Sequence, residues 1–139
     1  MKVLAIDYGR KRIGFASGDS VNKIAFPCSV IENKNFAYVS KEISDFCRKW
    51  EVKLIVVGMP YNMEGEGENK MTGEIQALVK KLKRVLQGVE LAVFDERLSS
   101  FEADEVMRKA GKSTRENKDY QDAFAAQIIL QRFFDTLEN

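Results

Sequence analysis

Five carboxylates stand where metal-assisted chemistry could be done. Asp7 interrupts the apolar run of residues 2–8, Asp95 and Glu96 close the run 91–94, and Asp119 and Asp122 open the last amphipathic segment. Aspartate has poor β propensity and a high desolvation cost, so Asp7 in a strand buried on both faces requires a compensating gain. On a helix turning 100° per residue with Ala126 at zero, Asp119 falls at about +20° and Asp122 at about −40°, on the side of Ile129, Leu130 and Phe133. A carboxylate on that buried side must be hydrogen-bonded, neutralised or bound to a cation. Strand alternation sends Asp95 and Glu96 to opposite faces, so only one of them can join Asp7. Oxygen ligands converging from two strand ends and a helix start suit Mg²⁺ or Mn²⁺. Two such ions roughly 3.5–4 Å apart activate a water and stabilise the leaving oxygen in phosphodiester hydrolysis. Two structural readings stand beside this one: an Asx-type turn from Asp7 into Gly9, and capping of orphan helix amides by Asp119 and Asp122.

The rest of the composition narrows the chemistry. The chain has no histidine, which removes Ser-His-Asp and Cys-His catalysis and His-ligated zinc. Cys28 and Cys47 make neither a disulfide framework nor a CxxC pair, and are expected to be reduced thiols of a cytoplasmic protein. Lys plus Arg number 22 against 21 Asp plus Glu, a net charge of +1, so any surface for nucleic acid must be local. Arg10, Lys11 and Arg12 follow Asp7 directly, Arg97 adjoins Glu96, and Lys112 and Arg115 lie with Lys109 and Lys118 in the polar stretch before Asp119. These are the candidate phosphate contacts, with a solvated turn as the alternative for the first triplet. Lys80, Lys81, Lys83 and Arg84 lie opposite an apolar helix face and read as solvated.

Elements to position these groups are legible in the periodicity. Residues 2–8, 12–18 and 24–31 read as a meander of three antiparallel strands. Phe36, Val39, Ile43, Phe46, Cys47 and Trp50 recur on one helical face, and all, Trp50 included, are expected in the core. A fourth strand at 54–57 ends in Gly58-Met59-Pro60, where a sheet exposes a binding edge, and a glycine-bearing loop over 61–67 follows. A second helix carries Met71, Ile75, Leu78, Val79, Leu82 and Leu86, and a fifth strand covers 91–94. Ser99 to Glu102 has capping-box spacing for a short helix through Ala110; residues 111–118 read as a mobile loop and 119–137 as the last helix. The class is α/β, a mixed five-stranded sheet flanked by about four helices. With 139 residues, 45% hydrophobic, the expectation is one domain over 1–139, soluble and unexported because no apolar run approaches ~18 residues. Tyr120, Phe124 and Ile128 recur on the outer face of the last helix, to be covered by residues 99–118 folding over them as a lid or by self-association.

Four blocks resemble those of the YqgF family: Asp7-Tyr8-Gly9-Arg10-Lys11-Arg12-Ile13-Gly14-Phe15-Ala16; Val57-Gly58-Met59-Pro60 with Asn62-Met63-Glu64-Gly65; Asp95-Glu96-Arg97-Leu98-Ser99-Ser100; and Asp122-Ala123-Phe124-Ala125-Ala126 with Ile129-Leu130-Gln131. They occur in the family's order and span nearly the whole chain. The resemblance implies a ribonuclease H-like fold similar to the RuvC Holliday-junction resolvases, and a metal-dependent endonuclease that matures the 5′ end of 16S ribosomal RNA. It implies Asp7, Glu96 and Asp122 as metal-binding catalytic carboxylates and Asp119 as a fourth. Ser99-Ser100 stands where many members have threonine, a mild departure. The implied partners are structured precursor RNA or branched DNA, with ribosomal particles, for a cytoplasmic monomer or weak homodimer. A resolvase acting on four-way DNA and a non-catalytic nucleic-acid binder are the alternatives. A kinase or ATPase of the actin type, suggested by Asp7-x-Gly9 and Gly14, needs a second half that 139 residues do not supply.

Overall fold

Val3, Leu4, Ala5 and Ile6 are all fully buried, which a strand achieves when both faces of its sheet are covered. They belong to β1 (Lys2–Tyr8), the middle strand of a five-stranded sheet. The computed structural model describes residues 1–59, 66–95 and 118–137. Its further elements are β2 (Arg12–Asp19), β3 (Ile24–Glu32), α1 (Phe36–Trp50), β4 (Val52–Met59), α2 (Glu66–Val85), β5 (Glu90–Asp95) and α3 (Lys118–Asp135). The sheet order is β3-β2-β1-β4-β5. The first three strands are antiparallel and β1, β4 and β5 are parallel, the mixed sheet expected from the sequence.

The period of two in β1 divides the core. Leu4 and Ile6 join Ile13, Phe15, Ile43, Ile55, Val57, Ile75 and Leu82 under α1 and α2. Val3 and Ala5 join Ala16, Val56, Ala126, Ile129, Leu130 and Phe134 under α3. Burying a side chain such as Phe15 or Phe134 stabilises the fold by roughly 1.5–3 kcal/mol relative to leaving it exposed. Asn35 starts α1 by accepting from the Tyr38 amide at 2.8 Å, and Glu51 ends it in a left-handed conformation. On the opposite face α3 lies over β1, β2 and β3. Gln131 accepts from the Ala25 amide through Oε1 at 3.1 Å and donates to the Lys23 carbonyl at 2.9 Å, while Gln127 donates to the Ala25 carbonyl at 3.0 Å.

Three expectations change. Trp50 is 51% exposed: it ends α1, and its ring rests on Phe46 at 6.3 Å and under the Lys49 ammonium at 5.5 Å instead of in the core. The second helix begins at Glu66, so Gly67 is helical and not part of the preceding loop. β4 runs from Val52 to Met59, longer at both ends than its most apolar stretch. Three helices stand among the described residues. The expected short helix through Ala110, residues 111–117 and the proposed lid lie outside them, and Lys118 opens α3. Phe124 and Ile128 are half-buried. No helix among the described residues is long and apolar enough to cross a membrane.

The two cysteines occupy opposite environments. Burial pushes the Cys47 thiol up to about 11, whereas Cys28 on β3 is exposed. A thiolate-selective alkylating agent at pH 8 should label Cys28 and spare Cys47 in the native protein. Mass-spectrometric detection of equal labelling at both positions would contradict this burial.

Candidate active site

Asp7 is the last-but-one residue of β1, half-buried, with the same strand parity as Val3 and Ala5 in the core beneath α3. Its partner across the antiparallel ladder is Gly14. At Gly14 the sheet touches α3: a Cβ there would lie 2.2 Å from the Asp122 carbonyl oxygen, 2.6 Å from its carbon and 3.1 Å from the Ala123 nitrogen. Only glycine permits this approach, and a glycine inside a strand is the sequence signal for it. The contact seats the start of α3 on the ladder rung that carries Asp7, so strand and helix bring Asp7 and Asp122 to the same end of the sheet. Ala123, Ala126 and Ile129 are buried along the same helix and fix its rotation.

Arg12 completes this cluster. Its Nε donates to Asp122 Oδ2 at 2.9 Å, joining the first residue of β2 to α3 with both side chains about one-quarter exposed. Arg10 turns to the other side of the sheet, its Nε 3.4 Å from Glu74 Oε2 on α2, and the Tyr8 hydroxyl donates to the same oxygen at 3.3 Å. Lys11 is exposed at the turn. Asn33 steadies that turn: its Nδ2 donates to the Gly9 carbonyl and its amide to the Lys11 carbonyl, each at 2.9 Å. Arg10, Lys11 and Arg12 line one open cavity of about 630 Å³ together with Glu32, Asn33 and Lys34.

The structure thus brings together Asp7, Asp122 and Arg12, with Arg10 and Lys11 in the adjoining turn. Asp119 lies in the first turn of α3, by backbone position alone. Glu96, Arg97, Lys112 and Arg115 lie outside the described residues. Among the described residues no group of three acidic or sulfur ligands assembles. The donor set nevertheless fits a hard cation: carboxylate oxygens from two elements and no imidazole anywhere in the chain. Glu74 and Asn33 went unread in the sequence, where neither has a distinguishing spacing.

The Tyr8–Glu74 contact has a measurable consequence. Burial raises the Tyr8 pKa above its ordinary value of 10.0 and the Glu74 charge raises it further, against the lowering effect of an Asn33 hydrogen bond. A raised acid pKa means that the folded state holds the proton more tightly. Its contribution is therefore complete below pH 10 and is lost as pH rises through the folded value. Glu74→Gln should lower the Tyr8 midpoint without returning it fully, because burial remains. Absorbance titration of this variant against the native protein, with Tyr8→Phe to isolate one of the four tyrosines, reads the shift. An unchanged midpoint would remove Glu74 from the environment of Tyr8.

Comparison with known proteins identifies the family and the fold. A family model described as "RuvX: Holliday junction resolvase" matches residues 1–136. A protein of Anaeromyxobacter sp. (strain Fw109-5) is 41% identical over 97% of each chain, and one of Thermosynechococcus vestitus is 34% identical over 97% of this chain and 88% of its own. Both carry the name "Putative pre-16S rRNA nuclease". Among solved structures, T. thermophilus RuvC in complex with a Holliday junction substrate superposes with a TM-score of 0.63 at 15% identity, covering 96% of this chain and 93% of that one. The fowlpox virus resolvase bound to junction DNA gives 0.63 at 9% identity over the whole of both chains. At such identities the likeness establishes the ribonuclease H-like fold. On the full-length family match and the identities to its relatives, the chain belongs to the RuvX family, the family whose YqgF-type motifs it carries.

Proposed function

We propose that this protein is a divalent-metal-dependent endonuclease of one domain, acting in the cytoplasm on the 5′ region of precursor 16S ribosomal RNA. The observation that carries the reading is the close approach of the Asp122 backbone to Gly14, the ladder partner of Asp7, beside a basic turn. Membership of a nuclease family and the names of the relatives supply the reaction and the substrate class. Asp7 and Asp122 would hold Mg²⁺ or Mn²⁺ with Glu96 and Asp119. Glu96 shares the sequence parity of Ala92 and Phe94, which pack under α3, and this favours it over Asp95. When bound, the metal supplies an activated water and charge stabilisation at the leaving oxygen.

The chain's own residues do the positioning. Arg10, Lys11 and Lys34 offer cations along the open cavity, where a nucleic-acid backbone can be held without reading its sequence. Arg12, which lines that cavity, is paired with Asp122, so the scissile phosphate would lie where the backbone track meets the carboxylates. Arg97, Lys112 and Arg115 would extend the basic rim. A second reading, cleavage of four-way DNA junctions, is favoured by the family description and by the junction complexes of the structural relatives. Incubating purified protein and Mn²⁺ with end-labelled precursor RNA and with junction DNA decides between them. Metal-dependent cleavage of the RNA is the expected result. Cleavage of the junction alone would establish the second reading, and binding without cleavage of either would make the protein a non-catalytic binder.

A further inference from the structure

Arg12 reads from sequence as a phosphate contact in a basic turn, yet its guanidinium donates to Asp122 at 2.9 Å. Both partners are about three-quarters covered, so water screens the contact only partly. A cation in this position neutralises the charge that a divalent ion would use and takes up one ligand oxygen. We infer that Arg12 is a positioning residue that serves as the resident counter-ion of Asp122 and must release it when a metal is loaded, so that Arg12 sets the metal affinity of the site. The inference rests on the metal-dependent reading above.

Two opposing effects decide its sign. Removing Arg12 withdraws a positive charge from the metal's neighbourhood and liberates a ligand oxygen, which favours the metal. It also removes a contact that orients the Asp122 side chain, which disfavours it. The backbone of Asp122 is held independently, by the Gly14 contact and by the burial of Ala123, Ala126 and Ile129. Only side-chain torsions are freed, so the charge effect dominates. Released Arg12 lies along the same cavity as Arg10 and Lys11. Loading a metal therefore adds Arg12 to the cations offered to phosphates, and by linkage metal and nucleic acid strengthen each other's binding equally.

The test uses Mn²⁺ alone, without nucleic acid, and counts free ion by electron paramagnetic resonance. Arg12→Gln is expected to bind Mn²⁺ about tenfold more tightly than the native protein, and Arg12→Lys to restore near-native affinity. In an Asp122→Asn background the Arg12→Gln gain should shrink, since the Asp122 contact is what the substitution releases. Thermal unfolding in chelator should show Arg12→Gln below the native protein, with the gap closing at saturating Mn²⁺, and the same melts report that each variant is folded. Equal or weaker Mn²⁺ binding by Arg12→Gln overturns the proposal. So does an undiminished gain in the Asp122→Asn background, which would reveal a general charge effect. Absence of Mn²⁺ binding by the native protein and every variant would overturn the metal reading itself, a result distinct from metal binding that ignores Arg12.

Discussion

Replacing Asp7 by asparagine is expected to abolish cleavage, by about a thousandfold or more, while the protein stays folded. The amide is nearly isosteric, so it opens no cavity beneath α3, but it removes the anionic oxygen that a hard cation requires. A thousandfold loss corresponds to about 4 kcal/mol of transition-state stabilisation, within the several kcal/mol that a bound metal provides. Stability should hold or rise slightly, because neutral asparagine removes a half-buried charge from the end of β1. Single-turnover cleavage at saturating Mn²⁺ and thermal unfolding in chelator give the two readouts. Undiminished turnover would remove Asp7 from the reaction, and a loss of activity with a collapsed melting transition would mean that it supports the fold instead.

The second large effect is structural in origin and catalytic in outcome. Gly14→Ala inserts a Cβ whose ideal position lies 2.2 Å from the Asp122 carbonyl oxygen, and backbone on both sides leaves no flexible side chain to yield. Strand and helix must separate, which should cost about 3 kcal/mol by urea unfolding, at the upper end of what overpacking does. Asp122 moves with its helix, so activity should fall well beyond the loss of folded protein. Gly73→Ala is the matched control. Gly73 sits in α2 with nothing within 4 Å of the added atom, and alanine there should stabilise by roughly 0.5–1 kcal/mol. Equal effects of the two substitutions would show that α3 can slide on β2 freely.

Much of this could be read before any coordinates. The uninterrupted run Val3 to Ile6 announced a strand covered on both faces, and the 3.6-residue recurrence from Phe36 announced a helix lying on one. Asp7 stood out because it violates the local rule, and functional sites are where such violations concentrate. Other features carried no local signal. The Arg12–Asp122 pair joins residues 110 positions apart: Asp122 reads as a carboxylate on the buried side of its helix and Arg12 as a phosphate contact, and nothing local says that the two meet. Trp50 fits the apolar face of α1 by angle, but angle does not say where the covering sheet ends. Glycine's low helix propensity points Gly67 to a loop, and α2 includes it because packing of residues such as Ile75 and Leu82 outweighs a cost of about 1 kcal/mol.

The glutamine contacts of α3 bear on how this molecule stays apart from its own copies. β3 is the outermost strand on its side, and a free outer strand is a template on which another chain can pair and start an aggregate. At Ala25 both outward backbone groups are already taken, the amide by Gln131 and the carbonyl by Gln127. Two residues on, where the next amide of the same orientation would stand, the chain has Pro27, which offers no hydrogen at all. An incoming strand therefore finds no donor on this stretch, and the helix that carries Asp119 and Asp122 in its first turns also guards the sheet's margin with its later ones. Unseating α3 by a few ångströms, as Gly14→Ala would, should expose that margin, so that insolubility accompanies the loss of activity.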